Sequence, residues 1–287
     1  YYKMTLSVRK IYIDSRFLVS WDNSQFRYEL PEVVELPPDT VAFVTELTTC
    51  ASWDTVSPDR NNQLYVVEQA SSIFKARAVT VAAGAYDSET LRVALESALN
   101  GAGKMVEGFY SVSRASSAGT VNTASVGAAY RYYTITLTGG GLCFFPPDAW
   151  LRDNPLVWVQ YGGGLYDREN PRSTNELFQF PMMGFATFHT SSFIDLRSVH
   201  TLFVNSSSFG NYSCIAPRGV RTVLCKVPCT GAYGSVLTYE HSGSQHDYID
   251  VGSTTLKMLT FELKDARGNL IDLRGGHWSM TLVLARK

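Results

Sequence analysis

The sequence predicts an all-β protein of the sandwich type, and three observations predict it. Short runs rich in Val, Ile, Thr, Tyr and Phe recur along the 287 residues, bounded by Gly, Pro, Asn and Asp. Only one segment carries a clear helical stripe. The strand–helix–strand alternation that a nucleotide-binding sheet requires is missing.

The first run, 5–13, has apolar residues at Leu6, Val8, Ile11 and Ile13. Phe26 to Leu30 alternates in and out and stops at Pro31, and Val41 to Leu47 follows Pro37 and Pro38. Gln63 to Val67 follows the Asn61-Asn62 turn, and Phe74 to Val81 alternates as far as Gly84. The spacing then predicts a helix. Asp87 or Ser88 can cap it, Leu91, Ala94, Leu95, Ala98 and Leu99 form one apolar stripe, and Asn100-Gly101 stops it. Residues 113–127, rich in Ser, Ala, Gly and Thr, read as a loop before the strand Tyr130 to Leu137.

Residues 139–176 read as a second, irregular loop. It carries Trp150, Trp158, Tyr161 and Tyr166, so it must pack somewhere, and long loops inside a compact domain are usually functional. Further strands are Val220 to Val227, Val236 to Tyr239, Leu256 to Leu263 and Trp278 to Leu284. The runs beginning at 26, 41, 63, 74, 130, 220, 256 and 278 supply eight core strands, enough for two four-stranded sheets. No domain boundary shows. The expectation is one domain over 1–287 with a loop-rich insertion around 101–220.

Composition narrows the function. Charged residues make up 18% of the chain and aromatic residues 13%. Low charge with many tyrosines fits a protein largely covered by partners, because interface cores lose charge and gain Tyr, Trp and Phe. A net charge of -1 lacks the basic footprint of a nucleic-acid binder, so no direct nucleic-acid partner is expected. No apolar run is long enough for a membrane span, and Tyr1 to Lys10 lack the apolar core of a secretory signal.

Patterns that could carry chemistry are weak. Cys225 and Cys229 stand at x3 spacing, and the cysteines at 50, 143, 214, 225 and 229 read as buried thiols in a reducing compartment. His241, His246, Asp247 and Asp250 fall in a polar loop without a ligand pattern. Gly101-Ala-Gly-Lys104 follows a helix where a phosphate loop would open one. Asp148 and Asp153 lack an apolar pocket to split their acidities. Asn205-Ser-Ser207 and Asn211-Tyr-Ser213 are sequons that matter only in a secretory lumen. No catalytic residue, metal site or cofactor is expected, and the chain is read as a non-enzyme.

Two terminal passages go further. Ile11-Tyr-Ile13-Asp14-Ser15-Arg16 precedes Phe26-Arg-Tyr-Glu-Leu30-Pro31. Near the other end stands Leu259-Thr-Phe-Glu-Leu263-Lys-Asp265-Ala-Arg-Gly268-Asn-Leu-Ile271-Asp272-Leu273-Arg-Gly275-Gly276-His-Trp278-Ser279. Gly84-Ala-Tyr86 lies between them, before the helix. Together these resemble the penton, or minor capsid, proteins of polinton-like viruses, virophages and related large double-stranded DNA viruses. The resemblance is concentrated at the two ends and places nothing in 101–220. It implies a single jelly roll in the virion capsid, assembled in the host cell as homopentamers at the icosahedral vertices, with the major capsid protein and other minor capsid proteins as neighbours. A minor position between or beneath the major capsomers would also fit. So, from another class, would a carbohydrate- or receptor-binding sandwich that uses Trp150 and Trp158.

The residues of these passages have readings of their own. Asp265 and Gly268 suit a tight turn, expected to join Leu256–Leu263 to Asn269–Leu273 or Trp278–Leu284 as a hairpin. Gly275-Gly276 suits a bulge before the last strand. Asp14 either caps the backbone of Arg16 in a strand-ending turn or leaves Arg16 to form an ion pair across subunits.

Overall fold

The computed structural model describes residues 8–22, 25–115, 132–192, 194–209, 214–215, 219–231, 233–243 and 247–286. The chain forms two compact units, Tyr1–Trp53 with Val199–Lys287, and Asp54–Ser198. The sequence reading has one domain with an insertion around 101–220. The inserted segment instead starts at residue 54, because the runs after it close a core of their own.

The first unit opens with β1 (Val8–Asp14), β2 (Ser20–Asp22), β3 (Gln25–Glu35) and β4 (Thr40–Cys50). The second unit then supplies β5 (Gln63–Ala70), β6 (Ile73–Thr80), α1 (Ser88–Leu99), β7 (Phe109–Ala115), β8 (Tyr132–Thr138) and β9 (Leu142–Phe144). It continues with α2 (Asp148–Asp153), α3 (Pro155–Gln160), α4 (Asn175–Phe178) and β10 (Phe188–Thr190). The first unit resumes with β11 (Thr201–Asn205), β12 (Val223–Pro228), β13 (Val236–Glu240), β14 (Ile249–Asp250), β15 (Thr255–Lys264) and β16 (Trp278–Arg286).

Pairing in the first unit is nested. β1 pairs with β16, β3 with β15, β4 with β13 and β11 with β12, all antiparallel. First meets eighth, second meets seventh, third meets sixth and fourth meets fifth. Two further pairings, β16 with β4 and β15 with β11, join these four pairs into two sheets. Their orders are β1-β16-β4-β13, with β14 also on β4, and β12-β11-β15-β3-β2. An eight-stranded antiparallel sandwich wound in this way is a jelly roll.

The expected membership of the eight differs at three places. The runs at 63, 74 and 130 belong to the second unit, as β5, β6 and β8. Their places in the roll are taken by β1, β11 and β13. Local alternation marks a strand but not the sheet it joins, and β11 is only five residues long.

Alternation places one face of each sheet inward. Ile11, Ile13, Val44, Leu47, Met280, Leu282 and Leu284 face Phe26, Leu30, Val204, Leu259, Phe261 and Leu263 in one buried cluster. Trp278 lies edge-on to Phe26 and Phe261, with ring centroids 5.2 and 5.8 Å away. Burying such aromatic side chains contributes roughly 1.5–3 kcal/mol each.

In the second unit, β5 and β6 form a hairpin registered from Gln63 opposite Thr80 to Ala70 opposite Ile73, and β9 adds to the other edge of β5. β7 and β8 form another hairpin, with β10 beyond β8. The helix is where its stripe places it. Asp87 caps it through a capping box, and Leu91, Leu95 and Leu99 are buried. Residues 113–115 of the expected loop belong to β7, and residues 116–127 lie outside the described residues.

Glu68 is fully buried on β5 and completely bonded. Its carboxylate accepts from Arg77 Nη2 at 2.8 Å, Tyr110 Oη at 2.9 Å and the Met105 backbone N–H at 2.6 Å. A buried charge needs that many partners. Burial in the same core pushes the Cys143 thiol up to about 12.

Candidate functional site

The two terminal passages meet. β1 lies beside β16, with Ile13 opposite Met280 and Asp14 opposite Ser279. The chain leaves β1 through a single 3-10 turn, Ser15–Phe17. Asp14 is its cap, accepting the Arg16 backbone N–H at 2.9 Å, while the Arg16 guanidinium donates to the same carboxylate at 2.6–3.1 Å. These bonds from Arg16 hold the Asp14 carboxyl down at about 2. The charge of Arg16 is therefore matched within its own chain, by the strand-ending turn.

Ser15 is buried in that turn. Its Oγ accepts the backbone N–H of Trp278 at 3.0 Å and lies 3.3 Å from His277 Nδ1. A short serine thus ties the end of the first strand to the start of the last, 263 residues away. A larger side chain would not fit between them, and an apolar one would orphan a buried donor.

The path into β16 is a series of local caps. Asp265 Oδ1 accepts from the backbone N–H groups of Arg267 and Asn269 at 2.8 and 2.9 Å, and Gly268 takes φ +82° while donating to the Asp265 carbonyl at 3.0 Å. Of the two expected hairpin partners, the nearer one is found: Asn269–Ile271 return antiparallel along the end of β15, with the Asp265 N–H donating to the Asn269 carbonyl and the Ile271 N–H to the Leu263 carbonyl, both at 2.9 Å, and Leu270 opposite Lys264. The other, Trp278–Leu284, is not paired with β15, because β15 and β16 belong to different sheets. Residues 269–277 carry the chain from one sheet to the other. Asp272 Oδ1 accepts the Arg274 N–H at 2.7 Å. The buried Leu273 offers its carbonyl to Ser52 Oγ at 2.6 Å and to the Gly276 N–H at 2.7 Å, with Gly275 between them at φ +83°.

Gly84 and Tyr86 belong to the second unit. Gly84 bridges to Val56, and Tyr86 donates its N–H to Thr55 Oγ1 at 3.0 Å and its hydroxyl to the Ala82 carbonyl at 2.8 Å. They fix the entry to α1.

Sequence reasoning missed the surface beside the junction. Cross-strand pairing sets Tyr12, Thr281, Glu46 and Glu240 in one row on the outer face of the β1 sheet, and Asp14, Ser279, Thr48 and Thr238 in the next. A cleft of about 330 Å³ opens over these rows, bordered by Phe17. Tyr12 is 68% exposed and Phe17 74% exposed. The signal was present in the alternation, since Tyr12 stands between the inward Ile11 and Ile13.

The aromatic loop packs inward. Trp158 is 1% exposed, stands edge-on to Tyr65 and donates its indole N–H to the Gly164 carbonyl at 2.8 Å, so it is not free to stack on a sugar. Trp150 packs on Phe144. His241 stacks on Tyr248 and lies tilted against Phe43, 3.7 Å from Asp247, and Asp250 accepts from the Gly252 N–H. His246 and Asn211 lie outside the described residues. Asn205 is 1% exposed, which leaves no room for a glycan. Among the described residues, no group of three His, Cys, Asp or Glu side chains could hold a metal, and no helix is long and apolar enough to cross a membrane.

No protein-family model matches the sequence, and no curated protein matches it. Among solved structures the chain is similar to the crystal structure of selenomethionine-labelled mavirus penton protein, with 12% identity and a TM-score of 0.49, over 97% of this chain and 100% of that chain. The assignment as a jelly roll rests on the chain's own nested strand pairing.

Proposed function

We propose that this chain is a structural subunit of an icosahedral double-stranded DNA virus capsid, and that five copies form the penton at each vertex. One observation carries the reading. The two terminal passages that resemble penton proteins, far apart in sequence, stand side by side as the first and last strands of a jelly roll. Their motif residues do structural work there: Asp14, Asp265 and Asp272 cap turns, Ser15 ties two strands and Trp278 fills the core. The roll holds its own core, and Tyr12, Glu46, Glu240, Arg27 and Lys226 stand exposed outside it.

The subunit works by assembly. A ring of like subunits uses a heterologous contact that closes by rotation, and the major capsid protein and other minor capsid proteins surround it. Electron microscopy of particles tests the position. The reading expects this chain's density at the fivefold vertices. Density between or beneath the major capsomers would replace the vertex role with a minor one, and absence from the particle would remove the capsid role.

A further inference from the structure

We propose that the outer face of the β1 sheet is the docking surface for the outer face of the β12 sheet of a second copy. The proposal deepens the ring reading and rests on it.

The two outer faces of the roll point in opposite directions, and most of the unmatched charge on each is of opposite sign, with Lys10 the exception on the β1 sheet and Glu35 on the β12 sheet. On the β1 sheet, Glu46 and Glu240 are directly opposite each other on β4 and β13, an arrangement that like charges disfavour. Glu46 accepts a hydrogen bond from Thr281 Oγ1 at 2.8 Å. Among the described residues neither carboxylate has an ion-pair partner. Arg16 is already matched by Asp14, and Lys10 stands on the next row along β1, opposite Val283. The carboxylates extend the row that begins at Tyr12, and the cleft with its aromatic border opens over Tyr12, Thr281 and Glu46.

The β12 sheet presents the complement. Lys226 and Lys264 lie directly opposite Phe203 on either side, and Arg27 stands on β3 opposite Thr260. Lys264 is matched by Glu262, and Lys257 by Glu29. Lys226 and Arg27 have no ion-pair partner among the described residues. An aromatic side chain flanked by lysine thus faces outward on one side of the roll. A concave, aromatic-bordered surface that includes Glu46, with Glu240 opposite Glu46 on the neighbouring strand, faces outward on the other. A head-to-tail ring needs such a pair of unlike, complementary faces on each copy.

The test uses the full chain and mass photometry across a dilution series, at low and high salt. Glu240→Lys and Lys226→Glu each place like charges across every contact. Each is expected to raise the concentration at half-assembly by on the order of tenfold or more. The double variant, Glu240→Lys with Lys226→Glu in one chain, restores opposite charges and is expected to recover assembly. Both positions are exposed, and the wild-type thermal midpoint confirms that each variant folds. A wild type that assembles while both single variants assemble equally well would overturn this surface and leave the ring reading standing. Failure of the double variant to recover would overturn it too. A wild type that stays monomeric at every concentration would overturn both.

Discussion

Replacing Ser15 with alanine removes the oxygen that accepts the Trp278 backbone N–H at 3.0 Å. Ser15 is 2% exposed and Trp278 equally buried, so water does not replace the lost acceptor. A buried donor left unmade costs about 1–3 kcal/mol. The alanine is smaller by one oxygen, which adds little cavity, so the expected loss is about 2 kcal/mol. For a domain of this size, each kcal/mol moves the midpoint by about 2–4 °C, so Ser15→Ala should melt about 4–8 °C below wild type. Calorimetry or denaturant unfolding measures this. Ser279→Ala, next to Trp278 on β16 but facing solvent, is the control and should stay within about 0.5 kcal/mol. A Ser15→Ala chain as stable as that control would refute the idea that this bond closes the first strand on the last.

Three more outcomes follow from the same geometry. Trp278→Ala should cost about 3–5 kcal/mol in denaturant unfolding, because the ring fills the space between Phe26 and Phe261. Asp265→Ala should destabilise the first unit by about 1–3 kcal/mol, measured in the same way, since Arg267 and Asn269 both lose the acceptor of their backbone N–H. His189 is buried in the second unit, donates Nε2–H to the Cys143 carbonyl at 2.7 Å, and burial lowers its pKa. The unfolded chain therefore takes up a proton near pH 6.5 that the folded chain resists, and this contribution to stability is lost as pH falls below that value. His189→Gln should show a smaller drop in unfolding free energy between pH 7.5 and about pH 5 than wild type does.

What the sequence disclosed was local. Asp87, the Leu91–Leu95–Leu99 stripe and Asn100 all act within one helix, and their reading holds in the structure. The strands around Phe26, Val41, Leu256 and Trp278 are long and alternate clearly. β11 is short, with only Leu202 and Val204 turned fully inward beside the buried Asn205, and it has no Gly or Pro boundary to announce it. The β5–β6 hairpin reads as well as any strand of the roll, yet it packs Leu64, Val66 and Val79 on α1 in a separate core. Sheet membership is decided by contacts far apart in sequence, which alternation does not encode. The site follows the same rule. Asp14 capping Arg16 and Asp265 capping Asn269 are legible at short range. The bond from Trp278 to Ser15, and the row from Tyr12 to Glu240, exist only once β1, β16, β4 and β13 lie side by side.

If these rolls assemble into rings of five, the native mass of the purified protein shows it. The expected species holds five 31.8 kDa chains and falls apart on dilution or in high salt. A single 31.8 kDa species at every concentration would contradict it.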